Sequence, residues 1–337
     1  MREAIDAGVF KPGEQMPSTK DLSQQMAVSL VTAHRALQEL VACGVLQRAQ
    51  GKGTFVHDRY FDKNRTITQW RIGLAISREC SIGDFVFSHI LEGIRRAAQE
   101  QAADLVLLRF GEDLRRECNA YLYLNPLPQD LDAIASQTTR RQPVLVVGAR
   151  SHLRHIAHLD VDNVDVARQA VNHLAELGHT SLGYVGSADQ SSSSRDRWQG
   201  FLDGCREHGI RVREQHAVRG SSWQAGEEET EILRRLLESP DRPTALFVAG
   251  YHLALKVYTA AAELGLRIPA DVSIVAVDDP PSASHLSPPL TTIRQPLTQL
   301  GHAAATALCT YLLENRQSLP SRLMRGQLIV RKSAAQR

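Results

Sequence analysis

From Ile72 onward, short apolar runs alternate with amphipathic helical stretches, and that alternation restricts the chain to one broad architecture. The runs are IGLAI, DLVLLRF, YLYL, PVLVVG, LGYVG, TALFVAG and VSIVAVD. Helical periodicity fills the gaps, with one helix ending near Gln101 and others around Val166 to Leu177, Trp198 to Glu207, Gln224 to Leu237 and Ala254 to Leu264. A short, continuously apolar run is a strand buried on both faces, as in parallel sheets whose crossover helices cover both sides. The runs are enough for two open sheets, so the expectation is an α/β fold with two doubly wound parallel-sheet subdomains. Ligands of such folds bind beyond the carboxyl ends of the strands, which places the expected site in the cleft between the sheets.

Upstream of Ile72 the pattern changes. Residues 2 to 8 read as a helix stopped by Gly8, KPGEQMP as a turn, and Ser18-Thr19-Lys20-Asp21 as a capping box that opens a second helix with Leu22 and Met26 facing inward. Ala27-Val28 makes a tight turn. Ser29 then caps a third helix, in which Ala33, Ala36, Leu37, Leu40 and Val41 share one face and Gly44 ends the element. Leu30, Val31, Thr32, His34 and Arg35 are left near its first turn, where a helix-turn-helix presents side chains to base edges in the major groove. Val45 to Arg48 and Thr54 to Val56 read as two strands around Gln50-Gly51-Lys52-Gly53, a small basic tip suited to close approach of a sugar-phosphate wall. Ser18 and Ser29 also read as simple caps. Caps, turn, amphipathic helix and glycine wing nevertheless agree over one contiguous stretch, which favours a winged helix-turn-helix that binds DNA.

Composition narrows the remaining classes. At 337 residues with 43% hydrophobic content the chain is long enough for two or three buried units. No apolar run approaches the ~20 residues of a membrane span, and MREAID lacks the apolar core of a signal peptide, so the expected compartment is cytoplasmic, with no membrane partner. Cys43, Cys80, Cys118, Cys205 and Cys309 are scattered and form no CxxC, which argues against a disulfide framework or a zinc site and for buried small hydrophobes. Residues 1–71 carry ten Lys and Arg against seven Asp and Glu, an excess beside the DNA-reading stretch that is too small to argue anything alone. GxGxxG, the phosphate-binding GxxxxGK followed by Ser or Thr, GxSxG and HExxH are all missing, so no enzyme or cofactor is expected. His152, His155 and His158 form the only local histidine cluster; a surface loop is favoured over a metal face because Asp160-Val161-Asp162 follows at once. The run Ser191 to Ser194 reads as a flexible loop, not a nucleophile.

The stretch KPGEQMPSTKDLSQQMAVSLVTAHRAL through GKGTFV resembles the GntR family of bacterial winged-helix regulators over residues 2 to 56. That resemblance implies DNA contacts from Lys20, Ser29, Thr32, His34, Gln50 and Gly51, to which Arg35 and Lys52 are added from their own positions and charge. Leu30 and His34 stand where the family often has arginines, leaving fewer bidentate guanine contacts. Relatives begin about three turns earlier, so the first helix reads as clipped, with either a true start upstream of Met1 or a shortened chain as the reading. Segments FSHILEGIRRAAQE, NHLAELGHTSLGYVG, RWQGF, LGLRIPADVSIVAVDD and PPLTTIRQPLTQLG resemble the effector domain of lac-repressor-type regulators, itself similar to periplasmic sugar-binding proteins. The combination is similar to the arabinose-repressor type of hybrid. The expected layout is a winged helix over 1–57, a linker over 58–71, and an effector domain over 72–333 whose subdomains are 72–160 with 293–318 and 162–291 with 322–333. Chain crossings are expected near Asp160 to Asp162, Thr291 to Gln295 and Leu319 to Arg325.

Sugar-like ligands need bidentate polar groups for vicinal hydroxyls and an aromatic plate for the ring face. By resemblance, Arg197 and Asp278 point into the cleft, with Phe87, Trp223 and Gln295 completing the set. Arg197 and Asp278 read alternatively as a structural ion pair or cap, and Phe87 and Trp223 as core. Two departures stand out. Gly250-Tyr251 replaces the Asn-Asp common in relatives, bringing Tyr251 into the candidate set, and only Gly111 to Ala120 separates two strands, too few residues for a full helical crossover. The function expected is a transcriptional regulator, a repressor, that binds double-stranded operator DNA as a homodimer and responds to a small polar metabolite such as a sugar. The rival is a ligand-independent DNA-binding protein whose second domain only dimerises, with Tyr251 filling the cleft.

Overall fold

The structure, a computed structural model, describes residues 4–5, 9–11, 13–42, 45–49, 53–57, 70–77, 81, 83–108, 118–137, 142–188, 190–220, 226–314 and 316–337. The chain separates into two compact units, Met1–Gln69 and Trp70–Arg337. Gly8, Gly44, Gln50, Gly51, Lys52 and Trp223 lie outside the described residues, as do most of the linker and of the shortened crossover before Ala120.

In the first unit, α1 (Thr19–Gln25) starts at Ser18, whose hydroxyl accepts from the Asp21 backbone N–H while Asp21 accepts from the Ser18 N–H, the reciprocal arrangement expected from the sequence. Met26 does not face inward. The helix ends at Gln25, Leu22 is its one buried residue, and Ala27 takes a left-handed φ of 50°, so Met26 sits on the cap at 49% exposure. Ser29 accepts from Thr32 N–H at 3.1 Å and opens α2 (Leu30–Ala42). Strands β1 (Leu46–Ala49) and β2 (Gly53–Val56) pair antiparallel from Leu46–Val56 to Ala49–Gly53. Gly53 needs to be glycine, since its φ is +120°. Ile5, Met16, Leu22, Ala33, Leu37, Val45, Leu46 and Val56 make the core. Full burial of such side chains stabilises by about 1.5–3 kcal/mol each, enough to fix α2 over the hairpin.

The second unit contains two six-stranded sheets. In the first, β3 (Arg71–Ile76), β4 (Asp104–Leu108), β5 (Ala120–Leu124), β6 (Val144–Val147), β7 (Ala157–Val161) and β13 (Arg322–Met324) are ordered β13-β7-β6-β5-β3-β4, all parallel. The second holds β8 (Leu182–Ser187), β9 (Ala217–Gly220), β10 (Ala245–Val248), β11 (Ser273–Val277), β12 (Thr291–Arg294) and β14 (Gln327–Ile329), ordered β14-β12-β11-β10-β8-β9, with only β14 antiparallel. Strands β5, β6, β10 and β11 are buried at every position, which is why they read as continuous apolar runs.

Helices α3 (Phe85–Glu100), α4 (Pro128–Gln137) and α9 (Leu297–Glu314) belong with the first sheet. The second carries α5 (Asn163–Glu176), α6 (Ser192–Glu207), α7 (Glu227–Glu238) and α8 (Tyr251–Glu263). Helices α4 and α9 and strands β7 and β9 are elements that the sequence patterns do not announce. Strand β7, AHLDV, and β9, AVRG, mix polar residues into their runs and lie next to the edge or at it. The expected loop at His152 to His158 accordingly ends inside β7.

The chain passes between sheets after β7, between β12 and α9, and between β13 and β14. The expected boundaries need two corrections. Residues 293–294, assigned to the first lobe, complete β12 of the second sheet, and residues 322–324, assigned to the second lobe, pair with Leu159 to Val161 in the first. The serine run is corrected too. Ser191 caps α6 by accepting from Ser194 N–H, and Ser192 and Ser194 are buried within the helix.

Candidate functional site

Of the residues expected to contact DNA, those on α2 and α1 fall on the solvent side. Thr32, His34 and Arg35 are exposed, as is Lys20 on α1. Ala33 and Leu37 lock the opposite face into the core, so the outward direction of the helix is fixed. Ser29 and Thr32 come together, their hydroxyls 2.7 Å apart. Arg35 lies 3.4 Å from Glu39, with both side chains largely exposed, a pairing worth little and easily exchanged for a phosphate or base.

In the second unit, the α6 register brings Arg197 to the seam between the lobes, where it is 7% exposed. Its Nε donates to Asn163 Oδ1 at 2.8 Å, Nη1 to the Ala249 carbonyl at 2.6 Å, and Nη2 to Gln295 Oε1 at 3.3 Å. Gln295, in the link between β12 and α9, donates its Nε2 to Asp278 Oδ1. Arg197, Gln295 and Asp278 therefore form one buried relay. Asp278 ends β11 with a φ of 74°, a left-handed conformation unusual for a residue with a side chain. Burial raises its carboxyl above the usual range, and the Arg197 charge, Gln295 and the Tyr251 backbone N–H oppose that rise.

Two other candidates sit differently. Phe87, on the first turn of α3, is half-buried and packs on the apolar core. Tyr251 does not fill the cleft: its ring belongs to the core of the second lobe and its hydroxyl donates to Ser282 Oγ at 2.7 Å, so only its backbone N–H reaches Asp278. It is the first residue of α8 and is 9% exposed.

Several seam residues escape a reading of the sequence. Asp160, 2% exposed at the end of β7, accepts from the Val161 N–H at 2.7 Å and from Asn163 Nδ2 at 3.4 Å. Desolvation pushes its carboxyl up to about 7, only partly opposed by Val161 N–H and Arg197. From the first lobe, Arg150 donates its backbone N–H to Ser192 Oγ at 2.9 Å and its guanidinium to Asp196 Oδ2 at 3.1 Å. Asp84, the cap of α3, lies 3.6 Å from His252 Nε2 on α8. The Asp-Val-Asp-Asn sequence at the first crossing is the one available signal, because buried polar residues at a crossing need partners.

Asp160 gives a pH prediction. Its folded pKa lies above the unfolded value, so the native state holds a proton that the unfolded chain has released, and stability falls as pH rises from about 4 towards 7. Every tenfold difference in proton affinity between the two states is worth about 1.4 kcal/mol. Asp160→Asn removes this pH dependence while keeping the acceptor for Val161 N–H. Urea titrations at pH 5 and pH 8 are expected to show the variant gaining stability relative to wild type at the higher pH by on the order of 2–4 kcal/mol; equal pH dependence would exclude a protonated Asp160.

A winged helix with an exposed polar reading face, joined in one chain to two parallel-sheet lobes with a polar seam, defines a DNA-binding transcription regulator. Residues 1–56 match the gntR family of bacterial regulatory proteins, and residues 171–334 match the periplasmic binding protein-like domain. The chain is 28% identical over 348 residues to the arabinose metabolism transcriptional repressor of Geobacillus stearothermophilus, covering 98% of this chain and 94% of that protein. It is 30% identical over 203 residues to the repressor CytR of Escherichia coli K12, covering 60% of this chain and 59% of CytR. A dimeric Lac repressor superposes with a TM-score of 0.68 at 26% identity, over 79% of this chain and 100% of the other. The fold is also that of a ribose operon repressor from Burkholderia thailandensis, with a TM-score of 0.65 at 24% identity over 77% and 98% of the two chains. The chain is thus a transcriptional repressor of the hybrid type that joins a GntR-family DNA-binding domain to a LacI-type domain, and its relatives are repressors, not enzymes.

Proposed function

We propose that this repressor acts in the cytoplasm as a homodimer on a palindromic operator and that a small, polar, sugar-like metabolite binding between the two lobes alters its affinity for DNA. The observation that carries the reading is the buried Arg197–Gln295–Asp278 relay at the seam, with Asp278 in a left-handed conformation. A guanidinium donates to ring and exocyclic oxygens, and a carboxylate accepts from hydroxyls. A ligand touching both lobes favours the closed state by its differential affinity, so effector and operator binding are reciprocally coupled. The test is a thermal-shift survey of the full chain with sugars and polyols, since a ligand of the native state raises stability with the logarithm of its saturation. A hit that also changes operator affinity supports the reading. No stabilising compound would favour the ligand-independent alternative, in which the second domain only dimerises and contacts such as Arg150–Asp196 and Asp84–His252 hold the lobes without a ligand.

The reading face predicts a division of labour among its residues. Lys20→Ala is expected to weaken binding similarly on all sequences and to flatten the salt dependence by about one unit. Thr32→Ala or His34→Ala instead costs about 1–3 kcal/mol at particular base pairs. Leu30 and Val31, 56% and 77% exposed on the first turn, have no core to enter and are suited to thymine methyls. Replacing thymine by uracil under that turn, in a duplex selected from random sequence, is expected to lower wild-type affinity about fourfold per methyl and to leave Val31→Ala unaffected. Equal binding of selected and random DNA by wild type would remove the specific-reader claim.

A further inference from the structure

Asp160 stands near the end of β7, where the chain first leaves the sheet of the first lobe, and it is 2% exposed. Groups from both lobes close around it. The charges that act on its carboxyl are Arg197 and Asp196 on α6 and Arg150 of the first lobe, two cations and a second acid. Its other neighbours add no positive charge. Strand β13 sets Leu323 opposite it, β6 ends at Val147 beside Leu159, Asn163 on α5 is neutral, and Asp162 is occupied in capping that helix. His158 shares its face of β7, but burial and the Arg150 charge disfavour protonation of that ring. Among the described residues, the Asp160 carboxyl accepts the Val161 N–H at 2.7 Å and Asn163 Nδ2 at a long 3.4 Å. An ionised carboxylate needs more, because a buried charge without a close counter-ion is heavily penalised. Both cations in range are committed elsewhere: Arg197 to Asn163, Ala249 and Gln295, and Arg150 to Asp196 and, through its backbone, to Ser192.

The ties that hold the lobes over Asp160 are weak by comparison. In the Arg150–Asp196 and Asp84–His252 pairs one side chain is 41% and 57% exposed, respectively, and pairs so open to water contribute little. Water reaching an ionised Asp160 therefore gains more than those ties lose. We propose that Asp160 is a proton-operated switch of lobe closure: its acid form permits the two lobes to join at the first crossing, and loss of the proton parts them. Parting hydrates the carboxyl and returns it towards its ordinary range near 4, whereas in the joined form it stands at about 7. The bias towards joining is thus complete below about pH 4, falls about tenfold per pH unit above that, and is gone beyond about pH 7. A metabolite bound between joined lobes inherits this dependence and binds more weakly as pH rises. That consequence alone rests on the effector reading; the switch itself does not.

The test needs no ligand. Spin labels are placed at Gln129→Cys on α4 and Gln199→Cys on α6, exposed positions on opposite lobes, in the full-length chain with Cys43 and Cys80 changed to serine. Cys118, Cys205 and Cys309 are buried and stay. Label separation is read by pulsed electron paramagnetic resonance after dilution with unlabelled protein. Every sample also carries His252→Gln, because a protonated His252 attracts Asp84 and would favour joining on its own account. With Asp160 present, the ratio of joined to parted molecules is expected to fall about tenfold per pH unit between pH 5 and pH 7. Asp160→Asn is expected to keep the joined distance, with a change of about twofold or less over the same range. An equal response in both proteins, or a single distance at every pH with Asp160 present, would overturn the switch. Carbon-13 NMR of the aspartate carboxyls in the unlabelled wild-type chain is a second measurement that does not depend on the variant folding. A resonance titrating near 7 that Asp160→Asn removes supports the proposal; no aspartate titrating there would overturn it.

Discussion

Arg197→Ala is expected to destabilise the two-lobed unit by about 3–5 kcal/mol, the range for removing one partner from a buried ionic network. The side chain is 7% exposed and donates to three acceptors drawn from α5, the end of β10 and the β12–α9 link. Truncation leaves the Ala249 carbonyl, Asn163 Oδ1 and Gln295 Oε1 without their donor. It also removes the positive charge that opposes the raised carboxyls of Asp278 and Asp160. Arg197→Lys keeps the charge but cannot reach three separated acceptors with one ammonium, so it should recover only part of the loss. Urea titration of both variants at pH 7 measures this. A change under about 1 kcal/mol for Arg197→Ala would mean that the network is solvated and contributes no more than a surface pair does. The same variant is expected to lose its response to any effector found by the thermal survey. Asp278→Ala provides the comparison, because it removes the carboxylate proposed to accept from effector hydroxyls and keeps all three acceptors of Arg197.

Gly93→Ala and Gly301→Ala are each expected to cost about 3 kcal/mol or more, at or above the upper end of overpacking penalties. Helices α3 and α9 meet through these two residues. A Cβ on Gly93 would stand 2.0 Å from the Thr298 carbonyl oxygen and 2.7 Å from His302 N, and one on Gly301 would stand 2.0 Å from the Ile90 carbonyl oxygen. The clashing atoms are backbone, so no rotamer change relieves them and the helices must separate, opening voids around Ile90, Ile94, Ala304 and Ala305. Gly209→Ala is the control. Its φ of +66° carries strain, but its Cβ would meet nothing within 4 Å, so the cost should stay near 1–2 kcal/mol. Thermal denaturation of the three variants decides it, and equal shifts for all three would refute close helix contact as the cause.

Legibility follows how local the physics is. Helix α2 is readable because its apolar stripe and its solvent face lie within its 13 residues and its cap, Ser29, directly precedes them. The buried strands are readable because burial on both faces writes an uninterrupted apolar run. Helix α9 is not recognisable as an element, although its motif carries part of the family resemblance. Its buried face of Leu297, Leu300, Gly301, Ala304, Ala305, Leu308 and Cys309 stands out weakly, because Ala303, Ala307, Leu312 and Leu313 make the remaining surface partly apolar as well. Strands β12, β13 and β14 are blurred because they are only three or four residues long and take partners from distant parts of the chain.

The class of both units and the polarity of the reading face were already written in the residues, and the motif RWQGF with the end of VSIVAVD pointed to Arg197 and Asp278. Their partners were not. Arg197 reaches Gln295, 98 positions away, and Asn163, 34 positions away, and no periodicity encodes such contacts. Packing of the lobes put Tyr251 in the core. Packing also set Arg219 on Trp198 and raised the Asp160 carboxyl to about 7, since desolvation depends on what three crossing segments bury together. Local sequence carries propensity and face; the dielectric surroundings and long-range partners of a polar group exist only once the lobes have packed.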